Sequence, residues 1–199
     1  GFHDAANAIA TVVATRVLTP LPAVLMAGAM NFLGAVSGTA VATTIGKGLI
    51  DAQVVTEWTV AAGLLAAILW DLLTWYYGIP TSSSHALVFG VLGAGVATGG
   101  MRAVIPSGVT KVGLGVVYSP LLGFIGAGAL LVLLYWLVYR QTPARVGALF
   151  GRLQLLSSVY MAFSHGSNDG QKTMGIISLA LFTYGALGEH FYVPLWVMM

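Results

Sequence analysis

Apolar runs longer than any soluble helix needs govern what this chain can become. Leu21 to Ile45, Thr59 to Gly78, Val112 to Tyr139 and Leu153 to Leu187 are each almost free of charge, the last broken by one polar cluster. At 1.5 Å per residue, about 20 such residues cross a hydrocarbon core of about 30 Å. Shorter apolar stretches, Ala5 to Val13 and Leu87 to Ala97, bring the expected hydrophobic segments to six or seven. A membrane β-barrel would instead alternate in segments of about ten residues separated by turns, a period this chain lacks. The expected fold class is therefore all-α: a polytopic membrane protein whose backbone polar groups are satisfied within helices. Only 7% of residues are charged, against about a quarter in soluble domains. The 8 basic and 6 acidic side chains are dispersed, so no nucleic-acid surface is expected. Without cysteine, disulfides, thiolate metal sites and cysteine catalysis are excluded.

Two carboxylates interrupt this apolar sequence in the same context. Gly1-Phe2-His3-Asp4-Ala5-Ala6-Asn7 and Gly166-Ser167-Asn168-Asp169-Gly170-Gln171-Lys172 both read Gly-x-polar-Asp. A charge in hydrocarbon costs about 2.5 to 3.5 kcal/mol on insertion scales, so a carboxylate retained there binds something. About a dozen residues separate each motif from an arginine-bearing connection, which puts Asp4 and Asp169 near mid-membrane. Counting crossings places Arg16 on the same face as the connection Arg140 to Arg152, with the two motifs crossed in opposite senses. Opposite sense is the pattern of an inverted-topology repeat, in which discontinuous helices of two halves form one midplane site. The Arg16 face carries Arg16, Arg140, Arg145 and Arg152 without an acid, and the opposite face mixes Lys47, Arg102 and Lys111 with Asp51 and Glu57. By the positive-inside rule the arginine face is cytoplasmic.

A third cluster, Ile79-Pro80-Thr81-Ser82-Ser83-Ser84-His85, lies between apolar stretches. Proline ends the incoming helix, and the next helix starts with free N–H groups and four hydroxyls, which together can cradle an anion. Carboxylates with Asn7 and Asn168 suit a hard cation or a proton, while hydroxyls and helix N-termini suit an oxyanion. Cation-coupled oxyanion transport is the function these residues point to. Lys172, one turn after Asp169, either neutralises that carboxylate or contacts the anion.

Residues 1 to 11, 78 to 85 and 163 to 172 resemble the inorganic phosphate transporter (PiT) family, especially its bacterial low-affinity branch, with the three motifs in order along essentially the whole chain. The resemblance implies an inverted-repeat fold with a re-entrant hairpin in the inner membrane. It implies phosphate between the halves, symported with protons or sodium, and in some bacterial members carried with a divalent metal. No other cofactor is expected. Carried onto this sequence, Thr81, Ser82, Ser83, Ser84, Asn168 and Lys172 serve phosphate. His3, Asp4, Asn7 and Asp169 serve the coupling cation. His3 stands where the family usually has Asn, which makes a protonatable group of interest there. The expected layout is a first repeat over residues 1–139, a cytoplasmic connection over 140–152, and the start of a second repeat over 153–199. The first repeat is expected to be truncated at its start, because the chain opens with Gly1 directly on the motif, and the second at its end, because no second Ser/Thr-rich hairpin tip follows Gly170. A sulfate transporter of the same fold, a passive anion channel and a non-transporting membrane subunit are the alternatives, and a homo-oligomer is left open. Asp71, His85 and His165 stand between a role in the site and helix packing. Glu189 and His190 read as a loop pair. No Gly-x-Ser-x-Gly elbow supports a hydrolase, so the chain is read as a transporter rather than an enzyme.

Overall fold

A computed structural model describes residues 5–199, and the chain is helical almost throughout. A 3-10 turn, Ala5–Ala8, leads into the short helix α1, Ala10–Ala14. Helix α2, Pro20–Val36, and helix α3, Ala40–Lys47, meet at a 64° bend. Helices α4, Glu57–Tyr77, and α5, Ser83–Gly99, form an antiparallel hairpin. Helix α6, Pro106–Val138, precedes the long helix α7, Pro143–Thr183. Helices α4 to α7 are each long and apolar enough to cross a membrane, and the bent α2–α3 pair passes as a fifth span when counted as one. Among the described residues the β-structure is one isolated bridge, Ile50 to Val104.

The break falls elsewhere than the sequence suggested. Leu21 to Ile45 reads as one apolar span, yet it bends at Ser37-Gly38-Thr39, where the Ser37 hydroxyl turns back onto the Gly34 carbonyl at 2.7 Å. The polar motif at residues 166 to 172, expected to interrupt its helix, is continuous α-helix. Its glycines explain the difference, because they serve close approach rather than a break. A Cβ on Gly166 would overlap the Asn31 backbone, and a Cβ on Gly34 would overlap the Phe163 carbonyl, so α2 lies directly on α7. Gly90 makes a backbone contact of the same kind, against Gly63 of α4, whereas Gly93 has no atom within 4 Å of where its Cβ would be. The connection expected over residues 140–152 is helical from Pro143 onward. Its arginines reflect water at the end of a helix that outruns the bilayer: 41 residues reach about 61 Å.

The ends of the bundle sort by charge. Thr15 donates to the Gln154 side chain at 3.0 Å, and Ala8 packs with Ala27 and Ala162, so the N-terminal turn runs antiparallel to α7 and puts Arg16 at the same end of the bundle as Arg152. At the other end the amide of Asp51 donates to Ala103 at 2.8 Å and that of Ile105 to Leu49 at 3.0 Å, gathering Lys47, Asp51, Glu57 and Arg102. The main core, including Ile45, Leu49, Ile50, Val60, Val91 and Leu179, sits at this second end. Thr56 and Thr59 close a capping box on α4 there, and Thr59 reaches Thr98 of α5 at 2.9 Å. These ties hold the near end of the α4–α5 hairpin, and beyond its far tip, residues 78–82, the first turn of α5 meets α7 through Ser84 and Lys172.

Candidate transport site

Asp169, Lys172 and Ser84 meet where the hairpin tip touches α7. Lys172 Nζ lies 2.5 Å from Asp169 Oδ1 and also donates to the Ser84 hydroxyl. Spacing brings the pair together, since residues three apart on a helix share a face. The Lys172 side chain is 11% exposed and that of Asp169 32%, so the ammonium is the more enclosed partner. Eleven residues separate Lys172 from the end of α7, about 17 Å. When that end lies at the membrane surface, the pair stands near the centre of a core about 30 Å thick. Each charge there would cost several kcal/mol alone, and pairing offsets much of that cost.

Two pockets adjoin the pair, and Ser84, Asp169 and Lys172 line both. One, of about 410 Å³, opens between α4, α5 and α7 and adds Asp71, Ser83, His165 and Thr173. The other, of about 550 Å³, lies between α3, α5, α6 and α7 and adds His85, Asn168 and Ser119. Either volume admits a small oxyanion with water.

The four expected hydroxyls divide between two sides of the hairpin. Ser83 and Ser84, on the first turn of α5, face the carboxylate. Thr81 accepts from the Trp70 indole at 3.0 Å, and the Ser82 hydroxyl caps α5 by accepting the His85 amide at 3.4 Å. Thr81 and Ser82 line a separate groove with Ala66 and Phe89. Asn168 is exposed and donates to the Ser164 carbonyl at 2.8 Å. Asn7 is exposed on the N-terminal 3-10 turn. His3 and Asp4 lie outside the described residues.

His165 and Asn31 join the site with less warning from the sequence. Asn31 Nδ2 donates to the Ala27 carbonyl at 2.7 Å, which leaves its Oδ1 to accept from His165 Nδ1 at 2.6 Å. The proton is thereby fixed on Nδ1, and Nε2 points at Asp169 Oδ2, 3.4 Å away. In the neutral ring Nε2 is an acceptor facing an acceptor, so this contact becomes attractive only when the ring carries a second proton. Asn31 had no motif to mark it. Its only trace is a lone amide in an apolar run.

Gln171 is 3% exposed and its Oε1 accepts the Val41 amide at 3.0 Å, so the second motif caps the first turn of α3 just past the bend. Ala162, Gly166 and Gly170 recur every fourth residue along the α2-facing side of α7, the small-residue spacing that could have revealed this contact.

A family model described as the phosphate transporter family matches residues 1–199. The chain is 47% identical over its full length to a Rhizobium meliloti protein named "Probable low-affinity inorganic phosphate transporter" and covers 60% of it. A Mycobacterium tuberculosis protein of the same name is 48% identical over the full chain, which covers 48% of that relative. The "Low-affinity inorganic phosphate transporter PitA" of Escherichia coli is 36% identical over 94% of the chain, which covers 44% of it. The chain thus spans about half the length of these relatives. Among solved structures, "The sodium-dependent phosphate transporter" superposes with a TM-score of 0.80 at 22% identity, over 98% of this chain and 67% of that one, a likeness of fold.

Proposed function

Since the chain belongs to the phosphate transporter family, a family of multi-pass membrane transport proteins rather than enzymes, we propose that it forms part of a bacterial inner-membrane symporter for inorganic phosphate. The observation that carries this reading is the Lys172 ammonium held between the Asp169 carboxylate and the Ser84 hydroxyl, where two pockets adjoin. Phosphate binds at the start of α5 through Ser83 and Ser84, with Lys172 as its counter-charge and Asn168 at the edge of the second pocket. Thr81 and Ser82 shape the tip that presents these hydroxyls. His3, Asp4, Asn7 and Asp169 form the coupling side, which answers to a proton or sodium gradient. The antiparallel register of Ala8 on Ala162 and Thr15 on Gln154 supports pairing of the two Asp motifs as halves of one site. It likewise supports a first repeat over residues 1–139 joined through 140–152 to a second that starts at 153. Arg16, Arg145 and Arg152 at one end of the bundle favour that end as cytoplasmic.

The test is phosphate uptake by the full-length protein in proteoliposomes. Uptake should require an imposed cation gradient, resist competition by equimolar sulfate, and fall at least tenfold in Asp169→Asn, while Ser84→Ala raises KM more than it lowers kcat. Omitting magnesium and adding a chelator shows whether a divalent metal travels with the anion. Gradient-independent flux that survives Asp169→Asn would identify a passive channel and overturn the reading.

A further inference from the structure

The two Asp motifs can be laid over one another residue by residue, and they differ in charge at one telling place. Three positions after the carboxylate, the first has the neutral amide Asn7 and the second has Lys172. The structure shows where that extra charge goes. Nζ of Lys172 does not extend toward water; it returns one turn to Asp169 Oδ1 at 2.5 Å and donates to Ser84 across the helix interface. Only 11% of the side chain is exposed, and both pockets end on it. A carboxylate with a hydroxyl oxygen converging beside it from another helix is a hard, oxygen-rich setting of the kind a small monovalent cation takes. Here an ammonium already fills it.

We infer that Lys172 is a tethered cation that takes the place of a dissociable one at Asp169, so the second motif binds no sodium and exchangeable sodium is confined to the first motif. The inference rests on the transport reading above and gives it an asymmetry. An ammonium presents three donors to partners that a metal ion would meet as ligands, which fits its simultaneous contacts to a carboxylate and a hydroxyl. Its attachment to α7 means that its occupancy does not depend on the sodium concentration on either side. Of the charged or titratable groups lining the two pockets, Asp71 of α4, His85 of α5 and His165 of α7, none brings a second fixed positive charge to Asp169. Lys172 also leaves a positive charge beside Ser83 and Ser84, so the neutralised carboxylate does not repel an incoming anion.

Binding of radioactive sodium to the purified full-length protein tests this directly. With the first motif silenced by Asp4→Asn, no sodium binding that depends on Asp169 is expected. Adding Lys172→Asn, which copies the first motif, should create one equivalent of sodium binding, and a further Asp169→Asn should abolish it. Lys172→Arg in the same background keeps a fixed cation and should bind none. Asp169-dependent sodium binding by the Asp4→Asn protein with Lys172 intact would overturn the inference. So would a folded Asp4→Asn, Lys172→Asn protein, judged by its melting transition, that gains no sodium. If that variant does not fold, the Asp4→Asn measurement alone decides. Phosphate uptake by the wild-type protein is recorded separately: its absence would defeat the transport reading whatever the sodium data show, while normal uptake without the predicted sodium binding defeats only the tethered cation.

Discussion

Single atoms decide much of how this chain packs. At Gly166 the missing Cβ is the space occupied by the Asn31 backbone, and Asn31 in turn orients His165 toward Asp169. A side chain at residue 166 would therefore disturb both the helix contact and the ring that faces the carboxylate. Gly166→Val should lower stability by about 1 to 3 kcal/mol through overpacking, read as a lower melting temperature in detergent. Gly123→Val on α6 meets no atom within 4 Å and should change it little. Asp4, Asp169 and Lys172 could be singled out from sequence because charge in an apolar run is rare and costly. Asn31 could not, because an isolated amide costs less and its partner lies 134 residues away.

At the scale of elements, four of the long helices could be read from the length and composition of their apolar runs. The two surprises concern continuity. Ser37-Gly38-Thr39 breaks a run that reads as one span, and residues 166–172 stay helical where the run reads as interrupted. Both follow from tertiary partners that local sequence does not contain. Gln171 supplies a buried acceptor for the Val41 amide beyond the bend, and α2 presses on the glycines of the motif. The hydroxyl cluster was legible as the start of a helix, but its division was not. Which serines face α7 depends on the rotation of α5 against it. Gln171→Leu removes the acceptor and strands a half-buried N–H, a loss of about 1 kcal/mol in a thermal melt. Gln171→Glu keeps an acceptor oxygen and should recover part of it. Equal losses in the two variants would show that Gln171 acts through packing alone.

Helix α6 presents apolar side chains outward along almost its whole length. On α6, Leu122 is 67% and Phe124 83% exposed, and Gly108 near its start is the one buried residue of the helix. Such a surface is stable only in an apolar solvent. Phe124→Arg, close to the centre of that helix, should raise the insertion free energy of α6 by about 2.5 to 3.5 kcal/mol, measured as a smaller inserted fraction in a translocation assay. Phe124→Leu should leave it unchanged. The bond from Gln171 to Val41 has a mechanical meaning at this scale. Only Gly170 separates Gln171 from Asp169 along the helix, and Val41 stands just past the elbow between α2 and α3. The elbow and the carboxylate are thus geared together: if α3 swings about residues 37–39, it must either drag α7 with it or let go of Gln171. Ala42 of α3 also lies directly on Gly175 of α7, so that hydrogen bond and a close helix contact together tie the elbow to the helix that carries the carboxylate.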